Sequence, residues 1–360
     1  MSLRPPTLAL ALLLISLLLT ALGVCVGSTG FENLFGALLA PQDPGQTTMA
    51  RQIVVDIRLP RTLGAWAAGA LLGLAGAVAQ GLFRNPLADP YLLGSASGAS
   101  LGVALALAVL GGNAGMLGAG MMNGANGLSV FSSSVLSGNV LVRLGLTGAA
   151  FAGAVLAVLL TLALSRGVQH TLRLLLAGVV VGVVLGALTQ LALLLSPDSL
   201  QAMQAYMLGS TSLVGWTALL LMTSVWWLCV LAAWLLGRVL DGLSLGEATA
   251  HSLGLPVAPL RLALVAVLAL ATGTAVAQTG LIAFVGLAAP HLVRSVAQTA
   301  HGRLMWLASL MGGLLLMGAD ILSRGVLAPQ ELPVGVLTAV LGGGYLLWLM
   351  HRSRAGGRGR

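Results

Sequence analysis

The stretch TLGAWAAGALLGLAGAVAQGL, residues 62–82, carries no charged side chain and lies between Arg61 and Arg84. An α-helix rises about 1.5 Å per residue, so a run of this length matches the roughly 20 residues that a bilayer-spanning helix needs. Its many glycines and alanines are the small residues that let helix backbones approach closely in lipid. The stretch therefore predicts a transmembrane helix that packs tightly against its neighbours.

The composition of the whole chain follows the same pattern. Of its 360 residues, 58% are apolar and only 7% are charged, whereas soluble domains carry roughly 25% charged residues. This ratio excludes an ordinary soluble enzyme. It predicts an all-α, polytopic membrane protein that forms a single transmembrane domain over residues 1–360.

Hydropathy and the positions of proline, glycine and arginine predict about ten transmembrane helices. The predicted helices cover residues 7–26, 62–82, 91–110, 141–164, 173–195, 213–236, 260–278, 281–297, 304–322 and 334–350. The long connections between them are two extracytoplasmic loops, residues 27–61 and 111–140, and one cytoplasmic loop, residues 238–256.

The positive charge of the chain is best explained by membrane orientation. The net charge is +8, and every basic residue is arginine. With the N-terminus in the cytoplasm, most of the arginines fall in cytoplasmic segments, which is the bias that orients membrane proteins. The sequence therefore predicts cytoplasmic termini and no nucleic-acid partner.

The absence of lysine excludes one kind of nucleotide site. A phosphate-binding P-loop needs a lysine to reach the β- and γ-phosphates, and this chain has none. If transport uses ATP, another subunit must bind it. No spacing of cysteine and histidine indicates a metal site either.

Titratable side chains are scarce within the predicted helices. Asp320, near the outer end of the ninth, and His291, near the inner end of the eighth, are the main exceptions. Proton and ion relays depend on such groups, so an ion-coupled secondary carrier is only a remote alternative. A structural role for Asp320 is favoured over a relay. An intramembrane enzyme is disfavoured because motifs such as H-E-x-x-H are missing.

Four regions together carry a family resemblance: RLPR at 58–61, RNPLADP at 84–90, GLIAFVGL at 280–287 leading into PHLVR at 290–294, and ELPVG at 331–335. With these segments the chain closely resembles the FecCD/BtuC-type permeases of ABC importers, and haem permeases are the most similar. The resemblance implies a BtuC-like type II importer permease that moves haem from periplasm to cytoplasm. Ferric siderophore and cobalamin are the alternative substrates of the same family.

The resemblance also implies an assembly. Such a permease works as a homodimer in the lipid of the bacterial inner membrane, with two ATP-binding subunits and a periplasmic substrate-binding protein. The translocation pathway would lie between the two copies. This chain would be no enzyme and would bind no cofactor or metal, because ATP and magnesium would sit on the partner subunit.

On the outer face, the resemblance assigns docking of the binding protein to Arg58, Arg61 and Arg324. Their charges would meet acidic residues on the two lobes of that partner. Charge complementarity of this kind steers encounter and weakens with salt. Interfacial arginines without a docking role are the alternative.

For the translocation pathway, the resemblance points to Asn85, Leu87, Thr171 and Leu172 as cytoplasmic gate positions. An amide and a hydroxyl can move aside at a lower desolvation cost than charged groups. Because Asn85 precedes Pro86, a simple turn is the alternative for this residue.

The cytoplasmic loop 238–256 is the expected docking site for the ATP-binding subunit. By resemblance, its coupling-helix segment contains Leu243, Leu245, Gly246, Glu247, Ala248, Leu253 and Gly254. A solvated connector without a docking role is the alternative.

Overall fold

The structure of the chain is a computed structural model. It describes residues 4–27, 30–31, 51–118, 140–165, 167–168, 171–252 and 254–356. Parts of the two predicted outer loops, residues 28–29, 32–50 and 119–139, lie outside the described residues. The predicted coupling residue Leu253 lies outside them as well.

The described residues are mainly helical. In chain order the α-helices are α1 (Pro5–Cys25), α2 (Leu59–Phe83), α3 (Ser95–Gly118), α4 (Val140–Leu164), α5 (Thr171–Leu195), α6 (Leu200–Leu208), α7 (Trp216–Ser244), α8 (Glu247–Ser252), α9 (Val257–Thr279), α10 (Val285–Val296), α11 (His301–Gly325) and α12 (Val334–Gly356). A π-helical turn (Ile53–Arg58) leads into α2, and 3₁₀ turns lie at Pro90–Leu93 and Pro197–Ser199. Two short antiparallel strands follow α1, namely β1 (Val26–Gly27) and β2 (Gly30–Phe31).

Among the described residues, 7 helices are long and apolar enough to cross a membrane. They are α1, α2 with its preceding π-helical turn, α4, α5, α7, α9 and α11. Helices α3 and α12 contribute shorter apolar stretches, Ser95–Val109 and Val334–Trp348. A helix forms at every predicted position, so the all-α, polytopic fold predicted from the sequence is confirmed.

The helix predicted at 281–297 is shorter in the structure. It begins only at Val285, because Gly280 and Phe284 adopt left-handed backbone angles, with φ of +69° and +67°. These angles separate α10 from α9 by a non-helical segment. Ile282 within that segment is buried, as expected because irregular backbone at membrane depth needs protein around it.

Three predicted loops are partly helical, so the loop boundaries predicted from hydropathy are wrong at these places. Helix covers residues 51–61 of the loop 27–61, residues 111–118 of the loop 111–140, and residues 238–244 and 247–252 of the loop 238–256. Helix α7 continues beyond Arg238 because Val239, Leu240 and Leu243 are buried. A charged residue or a glycine is therefore not enough to end these helices, although each suggests a break.

Helix α2 is nearly completely buried and is contacted by α1, α7, α9, α10 and α11. Glycines allow this close packing. A Cβ atom at Gly69 would lie 2.3 Å from the carbonyl oxygen of Gly312, and one at Gly73 would lie 2.3 Å from that of Ala308. Helices α2 and α11 therefore touch through their backbones, as the small residues of 62–82 predict.

Helices α3, α4 and α5 pack together, and α4 joins them to α9. Helix α5 leaves a long apolar face uncovered by the described residues, with Leu172 70% and Val183 69% exposed. A Cβ atom at Gly178 would lie 2.0 Å from the carbonyl oxygen of Leu92. One at Gly186 would meet no atom within 4 Å from the described residues beyond its own stretch of helix. The Gly178 side of α5 thus packs within the chain, and another face remains open.

Candidate functional site

The three arginines predicted to dock a partner belong to one group of charged side chains at the N-terminal end of α2. We call Arg58, Arg61, Asp320, Arg324 and Glu331 the outer arginine cluster. Asp320 is its hub and is completely buried. The Nε atom of Arg61 donates to Oδ1 of Asp320 at 3.2 Å, and Arg324, one helical turn after Asp320, donates to Oδ2.

Glu331 forms the second ion pair of the outer arginine cluster. Both terminal nitrogens of Arg61 donate to its carboxylate, at 3.0 and 2.9 Å. This two-pronged geometry is the strong form of an arginine–carboxylate contact. The Glu331 side chain is 28% exposed, so the Arg61–Glu331 pair is the part of the cluster that borders the surface.

Two arginines of the cluster also hold the last carbonyl groups of α1. Arg58 Nη1 donates to the carbonyl oxygens of Val24 and Cys25 at 3.1 and 3.2 Å. Arg324 Nη1 donates to that of Gly23 at 3.0 Å. Carbonyls in the last turn of a helix lack partners within the helix and carry partial negative charge. The two guanidinium groups supply these carbonyls with hydrogen-bond donors and with positive charge.

The burial of these arginines differs from the expectation that they face a partner. Arg58, Arg61 and Arg324 are only 7%, 8% and 1% exposed. Buried guanidinium groups need paired charges and hydrogen bonds, which Asp320, Glu331 and the α1 carbonyls supply. A docking role for the three arginines stays a prediction. Any such role must account for Glu331, which already pairs with Arg61.

Sequence reasoning missed this clustering although one signal was present. Asp320 and Arg324 are four residues apart, the spacing at which side chains meet on a helix. The contacts with Arg61 and Glu331 join distant parts of the chain and leave no such local signal. The favoured structural role of Asp320 fits its geometry, because it also accepts a hydrogen bond from the Thr211 hydroxyl.

The predicted gate residues Asn85 and Leu87 lie in the turn that ends α2. Arg84 adopts left-handed backbone angles there, with φ of +48°. The backbone N–H of Leu87 then donates to Oδ1 of Asn85 at 3.0 Å. Asn85 therefore forms the turn that was its alternative reading, while Leu87 remains 58% exposed. The gate role of both residues stays a prediction.

The other two predicted gate residues begin α5. Thr171 is its first residue, and the Leu172 side chain is exposed to solvent or membrane. The turn after α2 continues into Pro90–Leu93, which packs on α5. The structure thus brings the two predicted gate segments onto neighbouring elements.

Asp89 fixes the path of the chain between α2 and α3. Its Oδ1 atom accepts a hydrogen bond from the Tyr91 N–H at 2.8 Å. Burial raises the pKa of the Asp89 carboxyl above its ordinary value, and this hydrogen bond opposes the shift. The Tyr91 hydroxyl donates to the Ile282 carbonyl at 3.0 Å, which ties this turn to the non-helical segment before α10.

The predicted coupling residues surround the short helix α8. Leu243 is buried in the last turn of α7, and Leu245 is 67% exposed. Gly246 and Gly254, on either side of α8, have φ of +113° and +75°. Glu247 and Ala248 are the first residues of α8. The segment therefore presents a short helix and an exposed leucine between two glycine turns.

Arg261 links this region to the segment before the second gate position, a role that sequence reasoning did not assign. The Arg261 side chain is buried at the start of α9, and Nη1 donates to the Val168 carbonyl at 2.7 Å. Val168 lies three residues before Thr171, while α9 follows directly after α8. Arg261 thus joins the chain after the predicted coupling segment to the chain before the predicted gate residues Thr171 and Leu172.

Almost the whole chain is similar to known proteins. The model of the FecCD transport family matches residues 10–352. The Hemin transport system permease protein HmuU of Yersinia pestis is 36% identical over 351 residues, which cover 97% of each chain. The Vitamin B12 import system permease protein BtuC of Salmonella schwarzengrund is 37% identical over 351 residues, covering 96% of this chain and 94% of that one.

A solved structure agrees in fold. It shows an inward-facing conformation of a metal-chelate type ABC transporter, and one of its chains superposes with a TM-score of 0.79 at 26% sequence identity. The match covers 97% of the present chain and 100% of that chain. The agreement in fold therefore extends over almost the whole chain.

Proposed function

Because this chain belongs to the FecCD transport family, we propose that it is the permease subunit of an ABC importer that moves haem into the cytoplasm. The observation that carries the proposal is the match of almost the whole chain to a haemin permease. Ferric siderophore is the second substrate candidate. Cobalamin is the third, supported by a relative of almost the same identity.

In this proposal the subunit forms a homodimer in the bacterial inner membrane, with both termini in the cytoplasm. The open apolar face of α5, with Leu172 and Val183 exposed, supports contact with a second copy. Two ATP-binding subunits hold ATP and magnesium, since this chain has no lysine for a P-loop. A periplasmic binding protein delivers the substrate to the outer face.

The gate and the coupling segment then act together. ATP binding and hydrolysis on the partners switch the pathway between outward-open and inward-open states. The coupling segment moves with the partner, and Arg261 passes this motion to the chain before Thr171 and Leu172. Asn85 and Leu87 close the pathway from the neighbouring turn after α2.

The coupling role predicts the effect of a charge reversal. Glu247→Arg should lower co-purification of the ATP-binding subunit and ATP-driven uptake by about tenfold or more. Reversing a charge at an interface replaces attraction with repulsion and so weakens binding. The control Asp198→Arg makes the same charge change at an exposed site beyond the other end of α5. Pull-down and uptake by Glu247→Arg at the level of that control would refute the assignment.

The docking role predicts a gain in association rate. Glu331 already occupies Arg61, so Glu331→Gln should free Arg61 for a carboxylate of the binding protein and speed its docking. The gain should shrink as salt rises. Stopped-flow association at low and high ionic strength measures both effects, with Asp198→Asn as a control of equal charge. Docking that is no faster than in this control would count against the role.

Uptake into proteoliposomes tests the whole proposal. The chain is reconstituted with its co-purified ATP-binding subunit, and haem, a ferric siderophore or cobalamin is supplied on its cognate binding protein. ATP-dependent accumulation of haem is the expected result. ATP-dependent accumulation of another substrate would refute haem as the substrate but support the assignment as an importer. Accumulation under an ion gradient, with none under ATP, would require a secondary carrier instead.

A further inference from the structure

A groove of about 540 Å³ lies between α7 and α11, and its lining includes none of the residues assigned to docking or gating. Its walls are mainly Trp227, Leu231, Trp234, Trp306 and Arg303. We call it the tryptophan groove. Apart from one arginine, its surface is apolar and aromatic, and none of its residues has been given a role above.

Two glycines set one end of the tryptophan groove. A Cβ atom at Gly237 of α7 would lie 2.6 Å from the Cα atom of Gly302 of α11, so the two backbones touch there. Arg238 and Arg303 each follow one of these glycines, and both side chains are exposed. The contact therefore brings two arginines to the same level of the helix pair.

The aromatic wall of the groove is held by ring contacts and hydrogen bonds to buried neighbours. Trp226, buried behind it, stacks on Trp306 with ring centroids 5.8 Å apart, and Trp227 lies 6.3 Å from Trp306. Trp226 also donates a hydrogen bond to the Ser309 hydroxyl, which itself donates to the Ala70 carbonyl of α2. The wall is thus anchored to the central helix. A preformed wall loses little conformational entropy when it binds a ligand.

The charge of the groove is concentrated at the glycine contact. Arg238 lies one helical turn after Trp234, on the same face of α7. In the part of the chain that the structure describes, neither Arg238 nor Arg303 forms an ion pair. The adjacent carboxylate, Asp241, is engaged by the backbone N–H and the ring of His301, at 3.0 and 2.7 Å. Two positive charges therefore remain available beside the apolar tryptophan groove.

We propose that the tryptophan groove binds one anionic phospholipid. The phosphate and the charged headgroup lie between Arg238 and Arg303, and an acyl chain lies over Trp227 and Trp306. Basic pockets between transmembrane helices suit anionic headgroups, and tryptophan rings suit the boundary between headgroups and acyl chains. The site lies in the leaflet on the side of the coupling segment, which the proposed orientation makes the cytoplasmic one.

Tryptophan quenching by brominated lipids locates such a ligand. The full chain is reconstituted in phosphatidylcholine vesicles with increasing mole fractions of brominated phosphatidylglycerol or, separately, brominated phosphatidylcholine. Bromine quenches only tryptophans that it contacts. We expect phosphatidylglycerol to quench at a lower mole fraction than phosphatidylcholine, with selectivity falling about fivefold for each arginine removed in Arg238→Gln and Arg303→Gln.

Matched variants separate the groove from the general surface. Arg4→Gln removes an exposed arginine elsewhere, and we expect unchanged selectivity. Replacing Trp227, Trp234 and Trp306, the three tryptophans that line the groove, by phenylalanine should remove the selective part of the quenching, whereas Trp348→Phe should not. Equal selectivity in the double arginine variant and the wild type would overturn the proposal. Protection of the groove from both brominated lipids would also overturn it, because another protein surface would then cover the site.

Discussion

Replacing Asp320 with asparagine should destabilise the protein by about 3–5 kcal/mol, the usual cost of removing one partner of a buried ion pair. The substitution preserves side-chain size, so the loss reflects charge rather than a cavity. Arg324 would keep its hydrogen bonds to backbone carbonyls but lose its only carboxylate among the described residues. A lower apparent melting temperature of the detergent-purified chain, with more aggregate in size-exclusion chromatography, measures the effect.

Two comparisons isolate the role of the buried charge. Glu331→Gln removes the partly exposed carboxylate of the same cluster and should cost less than Asp320→Asn, because water reaches this carboxylate but not Asp320. The double variant Asp320→Asn with Arg324→Gln removes one charge of each sign. It should be more stable than the sum of the two single changes predicts. Equal losses for Asp320→Asn and Glu331→Gln would refute Asp320 as the hub.

Substituting Gly76 with alanine should have the second large effect. The new Cβ atom would lie 1.7 Å from the carbonyl oxygen of Gly286, and a backbone atom cannot turn aside as a side chain can. Helices α2 and α10 would have to separate. We expect a loss of about 3 kcal/mol or more, the upper end of what overpacking costs, together with loss of ATP-driven uptake.

The chain provides its own control for this glycine. Gly148 lies inside α4, and among the described residues no atom beyond its own stretch of helix comes within 4 Å of a Cβ built on it. Gly148→Ala should leave the melting temperature unchanged or raise it, since alanine favours helix over glycine by up to about 1 kcal/mol. Thermal melts of both variants in one detergent give the comparison. A Gly76→Ala protein as stable as Gly148→Ala would show that α2 and α10 can move apart freely.

The helices were predictable because each depends on a continuous apolar run. The stretch 62–82 predicts the central helix within a few residues of α2. The short helix α10 was not predictable in the same way, because Phe284 adopts left-handed backbone angles that its own side chain does not favour. The surrounding protein imposes that conformation, so it cannot be predicted from the hydropathy of the sequence.

The outer arginine cluster shows where sequence reasoning about the site ends. Arg58, Arg61 and Arg324 were recognisable as a set through family resemblance, but their burial was not. Burial depends on Glu331 and Asp320 reaching Arg61 from positions some 260 to 270 residues away along the chain. Pairings over such separations are decided by tertiary packing, so charge and spacing alone suggested exposed arginines.

The arginines that hold the end of α1 also have a consequence for synthesis. The Gly23 carbonyl emerges from the ribosome 301 residues before its partner Arg324. At about 5–20 residues per second, that delay is roughly 15–60 s. Helix α1 is therefore synthesised well before α11 supplies the arginine that binds its C-terminal carbonyls. A chain that stops short of α11 leaves these carbonyls without that arginine, so we expect it to be degraded faster in cells than the full chain.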